Sequence, residues 1–100
     1  MRALFAALVL LGSQASAAKT HVVVLDSVSF TPRTLTVQAG ETVVWKNADI
    51  VEHDVRAGDG SFKSKILAPD QSFRWKAKKK GRHDYRCTLH PPMTGVLIVE

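Results

Sequence analysis

Residues 72–100 read Ser72-Phe73-Arg74-Trp75-Lys76-Ala77-Lys78-Lys79-Lys80-Gly81-Arg82-His83-Asp84-Tyr85-Arg86-Cys87-Thr88-Leu89-His90-Pro91-Pro92-Met93-Thr94-Gly95-Val96-Leu97-Ile98-Val99-Glu100. Over Ser72 to Ala77 apolar and polar residues alternate, so Phe73 and Trp75 share one face of a strand and Arg74 and Lys76 the other. His83 to Cys87 alternates in the same way, and Gly95 to Val99 is a closing apolar strand. Between the last two lies a loop carrying Cys87, His90 and Met93 at intervals of three, with Pro91-Pro92 inside it. This stretch sets both the fold and the chemistry.

Upstream the same grammar repeats. His21 to Leu25 is a β-branched run, Thr34 to Val37 alternates, and Ala39-Gly40-Glu41 turns into Thr42 to Trp45. Val51 to Val55 reads as a weaker strand before the Gly58-Asp59-Gly60 turn, and one helical turn is expected near Ser61 to Ser64. No segment from residue 20 onward keeps a helical apolar period for three turns. Seven to eight short strands in one small domain imply an all-β, antiparallel Greek-key β-sandwich.

Composition narrows the class further. The chain has 100 residues, 45% hydrophobic and 23% charged, which excludes a disordered or collagen-like chain. A single cysteine excludes an internal disulfide framework and four-cysteine zinc sites. Met1-Arg2, the apolar run Ala3 to Gly12 and the small residues Ser13 to Ala17 read as a secretory signal, cleaved after Ala17 or Ala18. Residues 1–17 are thus expected to be removed and 18–100 to form the exported domain. Ten apolar residues make a helix of about 15 Å, half of a ~30 Å hydrocarbon core, so a membrane anchor is not expected. The compartment expected is the bacterial periplasm.

A thiolate, an imidazole and a thioether on one loop form a soft donor set, suited to copper far better than to magnesium, calcium or manganese. The two prolines restrict the loop before metal arrives. A second imidazole must come from elsewhere, and His53 is the candidate. Two His, one Cys and a weak, long Met bond make a blue-copper electron-transfer site.

Gly40-Glu41-Thr42-Val43-Val44-Trp45-Lys46-Asn47, His53, the Tyr85 to Met93 loop and the closing strand together resemble the cupredoxin family. The two-residue gaps between Cys and His and between His and Met look like those of the amicyanins; plastocyanins have more residues between His and Met. The resemblance implies that His53, Cys87 and His90 are strong copper ligands and Met93 the axial one. It also implies that Asn47 hydrogen-bonds near the Cys loop and ties it to the loop bearing His53. Leu89 stands where amicyanins carry a proline. Arg86 stands where plastocyanins carry an aromatic, which removes the basis for an aromatic electron port there.

The remaining candidates read as structural. His83 is four residues from Cys87, about 13 Å along an extended strand, too far to join its site. His21 reads as a surface residue. The run Arg74 to Arg82 holds Arg74, Lys76, Lys78, Lys79, Lys80 and Arg82 with no acidic residue, and reads as a solvated turn that blunts edge pairing. At most it steers the protein towards an acidic partner at low salt. On an exported chain, and without aromatics interleaved on its polar face, it gives no nucleic-acid surface.

The function expected is a monomeric one-electron carrier with one copper per chain. Redox proteins would dock briefly on an apolar patch around His90 formed by Leu89, Pro91, Pro92 and Met93. The alternative is copper binding and delivery in the exported space. An enzyme is not expected, because His21 and His83 form no second cluster and four ligands leave no open position for substrate.

Overall fold

The computed structural model describes residues 19–100. The expected signal at 1–17 and its cleavage point lie outside the described residues. Eight strands form: β1 (Thr20–Asp26), β2 (Ser29–Thr31), β3 (Thr34–Val37), β4 (Thr42–Asn47), β5 (Arg56–Ala57), β6 (Ser72–Lys76), β7 (Gly81–Arg86) and β8 (Thr94–Val99). They build two four-stranded sheets, β2-β1-β4-β6 and β3-β8-β7-β5, packed as a sandwich over one core.

Alternation explains which side chains meet. In β7 the inward set His83 and Tyr85 is buried and leads to buried Cys87, while Arg82, Asp84 and Arg86 face water. In β4 Val43, Trp45 and Asn47 point inward. Trp45 lies at the centre, its ring 5.1 Å from Phe62, 5.5 Å from Phe73 and 5.6 Å from Tyr85 between centroids. Opposite Tyr85 stands Gly95, where any Cβ would collide with the tyrosine ring. The Gly40 turn takes φ +97°, a conformation that L side chains rarely adopt.

Three expectations are corrected. The sandwich is not wholly antiparallel: β1 pairs with β4, and β3 with β8, in parallel register. The intervening strands carry the chain to the other sheet and back, so each partner returns in the same direction. Val51 to Val55 is not a strand; within it only His53 pairs, in an isolated bridge to Leu67, and the short β5 follows. No helical turn forms at Ser61 to Ser64, where Lys63 instead bridges to Arg56.

The β1–β2 hairpin turns on Ser27 and Val28, with φ of 52° and 54°. Two consecutive left-handed residues are what a type I′ two-residue hairpin requires, although Asn-Gly usually supplies them. Among the described residues no helix is long and apolar enough to cross a membrane.

Candidate metal centre

Cys87 leaves the end of β7 and Met93 leads into β8, so the seven residues from one to the other form a closed loop. The loop is held by its own backbone: Cys87 N–H donates to the Met93 carbonyl at 3.0 Å, and Met93 N–H to the His90 carbonyl at 2.8 Å. Cys87 and Met93 are buried, at 0% and 2% exposure, whereas Leu89, Pro91 and Pro92 are exposed. Met93 therefore lies beneath the loop and does not belong to the apolar surface patch expected around His90.

His53 arrives from the other side of the same end of the sandwich. Its backbone is pinned twice to Leu67, donating at 3.2 Å and accepting at 2.7 Å. The structure brings His53, Cys87 and His90 together, with one donor atom from each within 4.8 Å of the others. Cys87 Sγ is 3.7 Å from His53 Nδ1 and 3.7 Å from His90 Nδ1. A metal bonded to sulfur at about 2.3 Å and nitrogen at about 2.0 Å, with angles of 110–120°, needs S···N separations of roughly 3.6–3.8 Å. The three side chains fit a single ion.

Two carboxylates hold this arrangement, and sequence reasoning missed both. Asp49 Oδ2 lies 2.9 Å from His53 Nε2 and also accepts the Val28 N–H at 3.0 Å, while Oδ1 accepts the Ile50 N–H at 2.8 Å. The His53 hydrogen bond above all, then the two amides, lower its pKa from the usual carboxylate range to about 2. With Nε2 turned to the ionised Asp49 as donor, Nδ1 is the nitrogen left facing Cys87. The left-handed Ser27-Val28 turn thus aims an amide at the carboxylate that orients a candidate ligand.

Asp54 is the second. Its carboxylate accepts the Thr88 N–H and the Thr88 hydroxyl, each at 2.6 Å, and its own N–H donates to Cys87 Sγ at 3.4 Å. Asp54, rather than Asn47, ties the Cys loop to the loop bearing His53. Asn47 Nδ2 instead donates to the Val51 and Leu67 carbonyls at 2.9 and 3.0 Å, and Oδ1 accepts from Asp49 N–H at 3.0 Å. It braces the His53 side alone. The sequence signal available was a carboxylate four residues before His53 and another immediately after it.

His83 is buried and satisfied: Nδ1 meets Asp59 at 2.8 Å and Nε2 the Lys79 carbonyl at 2.7 Å. His21 is half-buried and paired with Glu41 at 2.8 Å. Neither joins the cluster.

A family model described as a cupredoxin-like domain matches residues 1–99. The chain belongs to the cupredoxins. It is 33% identical over 84 residues to amicyanin from Paracoccus versutus, covering 79% of this chain and 64% of that protein. Against amicyanin-alpha from Methylorubrum extorquens it is 33% identical over 92 residues, covering 87% and 76%. This cupredoxin thus spans less than two thirds of the length of the Paracoccus versutus relative. It superposes on the Cu(I) form of an amicyanin variant with a TM-score of 0.77 and 30% identity, over 86% of this chain and 87% of that one. A copper-containing nitrite reductase from Thermus scotoductus gives 0.78 at 27% identity, over 92% of this chain but only 25% of the reductase. The likeness to the reductase is to a part of that enzyme.

Proposed function

We propose that this cupredoxin is an exported one-electron carrier that holds one copper ion between His53, Cys87 and His90, with Met93 as a weak fourth donor. The observation that carries this reading is the pair of equal 3.7 Å distances from Cys87 Sγ to the two Nδ1 atoms. Copper bound to such a donor set supplies a couple between +1 and +2. The protein's part is to hold the donors still. Asp49 fixes the His53 ring, Asp54 and Thr88 clamp the Cys loop, and the prolines limit the backbone around His90.

His90 is partly exposed, whereas His53 and Cys87 are at 0%. It is the donor nearest solvent, and so the exit for the electron. Leu89, Pro91 and Pro92 surround it with exposed apolar surface, suited to brief docking of redox proteins. The protein is a carrier rather than an enzyme, since four occupied positions leave none for a substrate. Burial of Cys87 and His53 stands against easy ligand exchange, and so against copper delivery. The periplasmic setting rests on the N-terminal sequence pattern.

An absorption spectrum after one equivalent of Cu(II) tests the reading. An intense blue thiolate-to-copper band that bleaches with ascorbate and vanishes in Cys87→Ser is expected. A pale spectrum, or a blue band that survives the substitution, would overturn it.

A further inference from the structure

The outer face of the sheet β3-β8-β7-β5 carries charge that the metal centre does not use. Arg56 and Arg86 are Cα partners across the antiparallel β5–β7 pair, and both are exposed. Like charges directly opposite one another oppose strand pairing. Next across the sheet, Arg86 pairs with Thr94, whose Oγ1 accepts a hydrogen bond from Arg33 Nη2 at 3.0 Å. Arg56, Arg86 and Thr94 therefore stand on one row over β5, β7 and β8, and Arg33, just before β3, reaches it through its side chain. Together with Arg82 they line a groove of about 450 Å³. The one carboxylate in its lining, Asp84, is already taken by Arg82 at 3.0 and 3.2 Å. Among the described residues, no ion pair reaches Arg33, Arg56 or Arg86.

A repulsive pair beside two further guanidiniums is the charge pattern of a surface completed by an anion. Guanidinium forks match carboxylates in a planar, two-bond geometry. From Arg56 through Arg86 to Thr94, where the Arg33 guanidinium rests, the row spans two inter-strand spacings, about 10 Å, which is wider than one small anion. Alternate residues of an extended segment lie about 7 Å apart, so two or three acidic side chains span the row. The groove offers no exposed aromatic on which a base could stack, since Tyr85 is 3% exposed. Its position adds a reason for such a partner. Arg86 immediately precedes Cys87, and Thr94 immediately follows Met93, so an occupant would sit beside the candidate metal centre.

We propose that this groove docks an acidic segment of a partner protein, with carboxylates paired to Arg33, Arg56 and Arg86. That the partner is a redox protein rests on the carrier reading above; the groove itself does not. The test needs no metal, so its failure is separate from failure of the copper spectrum. The ¹⁵N-labelled metal-free protein is titrated at low salt with an octapeptide alternating Glu and Ser, and with its Gln/Ser counterpart. Amide shifts confined to Arg56–Ala57, Arg82–Arg86 and Thr94–Val96 are expected with the acidic peptide only. They should weaken as salt rises, and affinity should fall about fivefold or more in the double variant Arg56→Gln/Arg86→Gln. Because that variant removes a repulsion, its Tm should not drop, which separates lost binding from lost folding. Shifts centred on Lys78–Lys80, equal binding of the Gln/Ser peptide, or an unchanged affinity in the double variant would overturn the proposal. Equal binding of pyrophosphate would also overturn it, in favour of a small-anion site.

Discussion

His53 and His83 are both buried, at 0% and 2% exposure, and each has one ring nitrogen within 2.9 Å of an aspartate. They differ in the other nitrogen. In His83 it meets the Lys79 carbonyl at 2.7 Å, so the ring is fully occupied. In His53 it faces only Cys87 Sγ, 3.7 Å away. A buried histidine with two committed nitrogens fastens a turn to a sheet; one with a single committed nitrogen keeps a lone pair for something else. Burial and a carboxylate partner do not mark a candidate ligand. The uncommitted nitrogen does.

Replacing each by alanine breaks this comparison most sharply. His53→Ala should remove the blue band at one equivalent of Cu(II), because the thiolate and one imidazole no longer hold the ion in a trigonal set. His83→Ala should leave the band in place and lower stability instead. It empties a buried volume, leaves the Lys79 carbonyl without its imidazole donor and takes one hydrogen bond from Asp59, a loss of about 2–4 kcal/mol. For a domain of this size that is a fall in Tm on the order of 10–20 °C. A blue band lost in His83→Ala with the fold retained would show that the two histidines are not separate in role.

The same contrast shows what the sequence could and could not disclose. Strict alternation over Ser72–Lys76 and His83–Arg86 gave those strands and their inward faces, and the rise along the strand, about 13 Å from Cys87, set His83 apart from the site. The soft donors at Cys87, His90 and Met93 were visible because they share one loop. Asp49 and Asp54 were not, since hydrogen bonds inside an irregular loop follow no period. The β1–β2 hairpin was missed because Ser27-Val28 takes left-handed φ without the Asn or Gly that usually announces it. The opposition of Arg56 and Arg86 was also hidden, for it depends on a pairing register between strands far apart in sequence.

Asp49→Asn sharpens the comparison at the carboxylate itself. The asparagine keeps the size of the side chain but loses the charge that holds the proton on His53 Nε2. Copper affinity should fall about 10–100-fold, with the blue band retained at saturation. An anionic partner favours the more highly charged oxidised state, so the reduction potential should rise, by about 59 mV for each tenfold selective loss of Cu(II) affinity. A merely structural role would lower Tm without moving the potential.

The smallest effect belongs to the corresponding carboxylate at His83. Asp59 accepts the Ser61 N–H at 2.9 Å, and the hydrogen bonds from Ser61, with that from His83, lower its pKa to about 2. In the unfolded chain an aspartate titrates near ~3.9. A carboxylate whose pKa is depressed by folding stabilises the native state above the unfolded value, and the contribution is lost as pH falls through the folded one. Between about pH 4 and pH 2 the native protein should therefore lose stability that Asp59→Asn never had. Thermal melts of the two metal-free proteins should differ most above pH 4 and converge towards pH 2. The difference amounts to a few degrees, because Asp59 is about one third exposed and solvent screens it. Parallel curves across this range would mean that His83 is held by the Lys79 carbonyl alone, and that the carboxylate beside it has no part in the clasp.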